Sequence, residues 1–440
     1  MNAHVLAMLL RPSRGQGALL VLPVVAFAVV TALILTVLGG VQSFWRWDDE
    51  YAVIYQALAA VALVLLVMPL TTLGAAAARL AARRRDERLS TLRLLGVTPF
   101  GVGVTTVVES SLLATAGALA GVLGYAALVP LIGLIPFRGA ALGWQALLLP
   151  AVQVLAVVGL VILVAAGSAV VGLRRVAISP LGVRTRQSAV GVHWIRVVIG
   201  AVAIVVAFVV AKAVPQVAGA VTVIAVSAMM FAIGLAVLNL VGPWSLRVSA
   251  RLWLRRAQTP QRLLTARLVL DDPKAAWRQV SSISMASFMA VFAGTGVALM
   301  GVISAEEANA AELALVQDMR TGLILTLVAS FVTVAASVGV NQASSILDQR
   351  ELHRSLHRLG VPMATVDQAR TRAVMAPLLV TAIGSALCAG ILVFPLLGMA
   401  LIVAPVSLLT ISGVVAAGIA VVWLSTRATR PVLSGAFREA

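Results

Sequence analysis

Asp86-Glu87-Arg88-Leu89-Ser90-Thr91-Leu92-Arg93-Leu94-Leu95-Gly96-Val97 and Arg350-Glu351-Leu352-His353-Arg354-Ser355-Leu356-His357-Arg358-Leu359-Gly360-Val361 read almost alike, about 264 positions apart. In register, Glu87 falls on Glu351, Leu92 on Leu356, Arg93 on His357, Leu95 on Leu359, Gly96 on Gly360 and Val97 on Val361. Each copy has the pattern of a short amphipathic, Arg-bearing helix stopped by glycine, the residue that best tolerates the left-handed conformation ending a helix. Each lies between two long apolar runs. The pattern is that of a duplicated device at a membrane surface.

Composition sets the class in which this device works. With 61% hydrophobic and 11% charged residues over 440 positions, and a mean hydropathy of +1.05, the chain has too little polar surface for a water-soluble globule. An all-α integral membrane protein is expected. Runs of the roughly 20 residues needed to cross a hydrocarbon core occur near 18–43, 52–78, 101–131, 143–172, 195–214, 217–244, 278–303, 320–345, 368–396 and 399–425. That makes about ten transmembrane helices, with the boundary between the fifth and sixth marked only by Lys212 and Pro215.

The formal charge of +17 is distributed as a topology signal. With both termini cytoplasmic, the outer loops hold Arg46, Arg138, Lys212 and Arg320, and the other 29 of the 33 basic residues lie inside. The outer loops also hold Asp48, Asp49, Glu50, Glu306, Glu307, Glu312 and Asp318. This is the positive-inside asymmetry of a plasma-membrane protein, and contact with anionic lipid follows from the same charges. No nucleic acid is expected as a partner, because no binding module or aromatic stacking pattern accompanies the charge.

The duplication organises the rest of the chain. The first repeat, 1–190, holds four spans and closes with Arg174-Arg175-Val176-Ala177-Ile178-Ser179-Pro180. Two linking spans occupy 191–262. The second repeat, 263–440, leads in with Leu268-Val269-Leu270-Asp271-Asp272-Pro273, crosses four times and closes with Arg427-Ala428-Thr429-Arg430-Pro431. Four spans plus two is an even number, so both repeats cross in the same sense and are related by an axis along the membrane normal. Both Arg-rich helices then face the cytoplasm.

The run Arg83-Arg84-Arg85-Asp86-Glu87-Arg88-Leu89-Ser90-Thr91-Leu92-Arg93-Leu94-Leu95-Gly96-Val97-Thr98-Pro99, followed by Val107-Val108-Glu109-Ser110-Ser111-Leu112-Leu113, resembles the signature of FtsX-like permeases. These are the membrane subunits of the MacB and lipoprotein-releasing (type VII) class of ABC transporters. The resemblance covers about 18–180 and 265–432. Its second copy is sparser: Arg358-Leu359-Gly360-Val361-Pro362 is present, but Ala373 stands where Glu109 stands in the first.

The resemblance implies a bacterial plasma-membrane permease moved by two copies of a cytoplasmic ABC ATPase, which bind ATP and magnesium. It implies that coupling helices at the two Arg-rich segments dock those subunits, with Glu87, Leu92, Arg93, Leu95 and Gly96 in one and Glu351, Leu356, His357, Leu359 and Gly360 in the other. MacB-like members carry a large extracytoplasmic domain after the first span; here Gln42–Tyr51 and Ser304–Arg320 are too short to fold as one. Substrate capture would then use the spans, their outer ends or a separate extracellular partner.

No cofactor is expected in the chain itself. It lacks a glycine-rich phosphate loop, its only lysines being Lys212 and Lys274, and it has none of the common hydrolase motifs. It is therefore expected not to be an enzyme. His353 and His357 share i, i+4 spacing but have no evident third ligand, so a partner-facing surface is the expectation over a metal site. Cys388 is alone in an apolar run and reads as a packing residue.

Glu109 is the one acidic side chain inside an apolar run of the first repeat. A charged carboxylate there costs about 2.5–3.5 kcal/mol on insertion scales, so it faces protein or water. Two roles fit: a latch to a nearby arginine that shifts during a transport cycle, or a static packing contact near the inner boundary. Small-residue runs, among them Gly117-x-x-x-Gly121, Gly74 through Ala78 and Gly384 to Gly390, suit close helix approach.

The expected function is mechanical coupling of ATP hydrolysis to export or extraction of an amphiphile, be it an antibiotic, a peptide or a lipid. A transducer that drives an extracellular cell-wall enzyme, and an ATP-independent secondary carrier, are the alternatives. The charge split generates a direct test of orientation. In a Cys388→Ser background, cysteine at Ser43 is expected to react with an impermeant thiol reagent in intact cells and cysteine at Ser90 is not; the opposite pattern would reverse the topology.

Overall fold

The computed structural model describes residues 17–48, 51–94, 99–178, 195–213, 220–307, 310–348, 355, 358 and 360–428. Apart from one two-stranded hairpin, its elements are helices. In chain order they are α1 Gly17–Phe44, α2 Ala52–Leu94, α3 Pro99–Gly133, β1 Pro136–Phe137, β2 Ala140–Ala141, α4 Trp144–Leu147 and α5 Ala151–Ile178. Then follow α6 Ile195–Ala213, α7 Ala220–Arg255, α8 Pro260–Asp271, α9 Pro273–Glu307, α10 Ala310–Asp348, α11 Met363–Leu392, α12 Phe394–Val403 and α13 Pro405–Ala428.

Among the described residues, nine helices carry a stretch long and apolar enough to cross a membrane, in α1, α2, α3, α5, α7, α9, α10, α11 and α13. The sequence expectation is ten. The run at 195–214 falls on α6, whose described apolar stretch, Val197–Val206, is shorter than a span. The outward surfaces fit a lipid solvent: Val152 on α5 is 77% exposed and Ile402 on α12 is 83% exposed. This is a multi-pass membrane protein by helix length and composition.

Two segmentations differ from the sequence reading. The expected last span, 399–425, starts instead at Pro405, and Phe394–Val403 forms a separate ten-residue helix. Prolines explain the break, since Pro395 and Pro405 have no N–H to continue a preceding helix, and Ala404 leaves the helical region at φ −131°, ψ 50°. The second difference is α2, which runs without interruption from the second span through the Arg-rich segment to Leu94. Ala, Leu and Arg dominate 75–94 and are among the strongest helix formers, so nothing in that stretch stops the helix.

The chain divides into two compact units, Met1–Arg186 with Ala336–Ser345, and Gln187–Ala335 with Ile346–Ala440. In the first, α1 lies against α3 with almost no side chain between them. A β-carbon on Gly117 would stand 2.5 Å from the Phe27 Cβ and 2.8 Å from the Val24 carbonyl oxygen, and one on Gly121 would stand 2.6 Å from the Ala28 carbonyl oxygen. Ala114 and Ala118 continue the same seam into a cluster with Ala26, Phe27, Ala76, Ala77, Val161 and Ala165. The leading glycines of the other small-residue runs make no such approach: a β-carbon on Gly74 or Gly384 would meet nothing within 4 Å.

The second unit uses glycine differently, as a notch for a ring. Phe288 of α9 fills the space over Gly234 of α7, Trp277 of α9 fills that over Gly242 of α7, and Phe331 of α10 fills that over Gly418 of α13. The Trp277 indole N–H also donates to Asn239 Oδ1 at 3.1 Å, which satisfies its polar atom inside the contact.

Ser43 is buried and donates to the Gly40 carbonyl, so exposed Asp48 is the better outer labelling position. The α1–α3 seam predicts unequal tolerance of alanine. Gly121→Ala pushes a methyl into backbone and is expected to cost about 1–3 kcal/mol. Gly40→Ala, whose β-carbon meets nothing within 4 Å, is expected to be neutral or to gain up to ~1 kcal/mol from helix propensity. Tryptophan fluorescence during thermal unfolding in detergent separates the two.

Candidate functional site

The first Arg-rich segment is helical at Glu87, Leu92 and Arg93, all on α2. Leu95 and Gly96 lie outside the described residues. With 43 residues at 1.5 Å rise, α2 is about 65 Å long, twice the ~30 Å hydrocarbon thickness. Its C-terminal part is therefore an extension beyond the span and not a separate helix, a correction to the expected short element. In the second copy, Glu351, Leu356, His357 and Leu359 lie outside the described residues, as does His353. Ser355 and Arg358 are helical and exposed. Gly360 sits in a turn at φ +79°, the left-handed conformation expected of a helix-stopping glycine, and α11 begins three residues later behind Pro362.

Glu109 lies on α3, half-buried, beside fully buried Ser110. The apolar stretch of α3 starts at Val107, so the carboxylate is at the rim of the span and not deep within it. Among the described residues it has no ion pair. Ser111 and Thr115 close their own hydroxyls onto the carbonyls of Val107 and Ser111, at 2.9 and 2.7 Å.

The second repeat puts charge elsewhere. Ala373 stands at the position matching Glu109, and three and six positions earlier on α11 the sequence reading passed over a buried pair. Asp367 and Arg370 are both at least 90% buried, 3.3 Å apart. Thr265 of α8 donates to the Ala369 carbonyl at 3.2 Å and pins that helix to the same turn. The i, i+3 spacing of opposite charges at the edge of an apolar run is the signal that could have found it. Asp318 and Arg320 are a further difference. Both were read as outer-loop residues, yet they are on α10 inside its apolar stretch, with Asp318 buried and Arg320 donating to Thr410 of α13 at 2.9 Å.

The most fully built polar arrangement in the first unit is one the sequence reading missed, between α3 and α5. Tyr125 of α3 is buried; its hydroxyl donates to the Leu147 carbonyl at 2.6 Å and accepts from the Leu149 N–H at 3.0 Å. These bonds hold α4 and the extended residues after it against α1, where Gly39 leaves room for the Leu147 carbonyl. Ahead of α4, the hairpin β1–β2 turns through Arg138 at φ +56° and Gly139 at φ +77°, both left-handed, as a tight two-residue hairpin demands. The Arg138 guanidinium lies over Trp47 at 3.8 Å and Tyr55 at 4.7 Å from the ring centroids. Phe44 and Phe137 complete the cluster, their rings 5.3 Å apart, and Arg46 reaches the carbonyls of Gln145 and Leu148, each at 3.4 Å. Aromatic residues gathered within 44–55 are the sequence trace of this cap.

Among the described residues, no group of three or more His, Cys, Asp or Glu side chains could hold a metal ion. Geometrically, the described residues offer positioned helices, an ordered cap and charged groups at span rims. No protein-family model, no curated protein and no solved structure matches this chain.

The cap yields a paired prediction. Tyr125→Phe strands a buried carbonyl and N–H and is expected to cost about 1–3 kcal/mol. Arg138→Ala removes cation–ring contacts with Trp47 and Tyr55, each worth about 0.5–1 kcal/mol at an exposed site. Unfolding midpoints of the two variants in the same detergent test this order.

Proposed function

We propose that this chain is the permease subunit of an ABC transporter of FtsX-like type, coupling a separate cytoplasmic ATPase to export or extraction of an amphiphilic molecule. The observation that carries the reading is the duplicated Arg-rich segment, each copy following an apolar run and ending Leu-Gly-Val. The left-handed Gly360 supports the helix-stop part of that pattern. The single helix α2 supports the mechanical part, because it joins the Arg-rich segment to the span without a loop, with Pro69 removing one of its internal hydrogen bonds. In this reading both termini are cytoplasmic, each repeat presents one docking helix, and one permease serves an ATPase pair.

Glu109 enters as an adjustable contact at the rim of α3. Its half-buried position and lack of an ion pair among the described residues leave its carboxylate available to an arginine that approaches during a cycle. The transducer alternative gains one observation: the ordered cap between α3 and α5 gives an extracellular partner a fixed surface, where loop length alone suggested none.

Docking is tested by co-purification of the cognate ATPase with Leu92→Asp/Leu95→Asp and, separately, Leu356→Asp/Leu359→Asp protein, both verified as monodisperse. Burial of one leucine contributes roughly 1.5–3 kcal/mol, so either pair is expected to weaken retention by an order of magnitude or more, the first pair more strongly. Retention of the ATPase at wild-type level by both variants would remove the mechanical basis of the proposal.

A further inference from the structure

The junction of α7, α8 and α9 gathers far more positive than negative charge. Residues 247–278 contain Arg247, Arg251, Arg255, Arg256, Arg262, Arg267, Lys274 and Arg278, eight cations against two acids, Asp271 and Asp272. Arg251, Arg255, Arg256, Arg262, Arg267 and Arg278 are exposed. Among the described residues none of the eight forms an ion pair. Arg247, Arg251 and Arg255 follow one another at four-residue intervals along α7 and so share a stripe.

The same junction is apolar where it meets solvent. α8 buries Thr265, Ala266 and Val269 in its own unit but leaves Leu263 and Leu268 exposed beside Arg262 and Arg267, and Leu252 is exposed beside Arg251. Trp244 and Trp253 are half-buried on the same end of α7. Exposed leucines interleaved with arginines suit neither water alone nor hydrocarbon alone. They suit the boundary, where apolar side chains enter the acyl region and guanidinium groups stay with phosphates.

Connectivity fixes the junction at one membrane face. The apolar stretches Val226–Arg255 of α7 and Pro273–Val302 of α9 are joined only by the twelve-residue α8 and short links, about 18 Å of helix, too little to recross a bilayer. We propose that α8 lies in the membrane interface and that, with the adjoining ends of α7 and α9, it forms a binding site for anionic glycerophospholipid headgroups. Charge complementarity selects the ligand, and continuity with two spans selects the bilayer over a soluble source. The site is independent of the transport reading.

The test uses the full-length protein in a neutral detergent, titrated with radiolabelled phosphatidylglycerol or phosphatidylcholine. Wild type is expected to retain phosphatidylglycerol in preference, with affinity falling as salt rises. Arg262→Gln/Arg267→Gln and Arg251→Gln/Arg255→Gln are each expected to bind phosphatidylglycerol about thirtyfold more weakly, given ~1 kcal/mol for each of the two basic residues removed at an anionic surface. Arg262→Lys/Arg267→Lys and Arg427→Gln, at a residue that lies over Trp423 on α13 and outside the proposed site, are expected to keep the preference, with all variants unfolding at the wild-type midpoint. Equal binding of the two lipids, unchanged affinity in both glutamine variants, or displacement of the lipid by glycerol 3-phosphate would overturn the proposal. So would glutamine variants that keep the lipid but lose a protein partner, since the surface would then be a protein dock.

Discussion

Helices surrounded by hydrocarbon gain nothing from hiding apolar side chains from water, because lipid is as apolar as leucine. What remains is contact: dispersion between surfaces that fit and hydrogen bonds that have no other partner. The first unit meets this constraint by subtraction, with Gly117 and Gly121 bringing α3 onto the backbone of α1. The second meets it by insertion, with the rings of Phe288, Trp277 and Phe331 set over glycines of facing helices. Both solutions make the packing specific, because a β-carbon at those glycines would occupy space already taken.

That constraint also explains what could be read from the sequence. Long apolar runs are legible one helix at a time, since a span needs only length and hydropathy, and eight of the expected runs recur at nearly the expected positions. Gly117-x-x-x-Gly121 is visible as a pattern, but so are Gly74 and Gly384, and which of them touches a neighbour depends on the partner helix. The three ring-on-glycine contacts join residues 35 to 87 positions apart along the chain and have no local signature. Likewise, Pro395 and Pro405 announce a break, yet an even run of hydropathy across 394–428 conceals it.

The site was less legible for a related reason. Charged residues near the ends of apolar runs were divided by hydropathy into loop and span, and a charge can lie in either. Asp318 and Arg320 look like loop residues because they are charged, while Asp367 and Arg370 straddle the start of the expected run 368–396. The structure buries Asp318, Asp367 and Arg370, since a helix end enclosed by other helices offers charges partners that a loop would not. Tyr125 was missed because a tyrosine in an apolar helix reads as packing, and only the fold brings the carbonyl of Leu147 and the N–H of Leu149 to its hydroxyl.

The two Arg-rich segments, alike in sequence, are followed by helices that handle charge differently. α3 keeps a single carboxylate, Glu109, at the rim with no ion pair among the described residues, whereas α11 keeps Asp367 and Arg370 together, buried and tied through Ala369 to α8. Breaking a buried pair by moving one partner away costs several kcal/mol, because it leaves an uncompensated charge in a poor solvent for charge. A half-buried carboxylate at the rim can exchange water for a guanidinium at far lower cost. In the transport cycle we propose, a change of contacts is therefore expected at α3 before α11, which is held by its buried pair and by the bond from Thr265 of α8 to the Ala369 carbonyl.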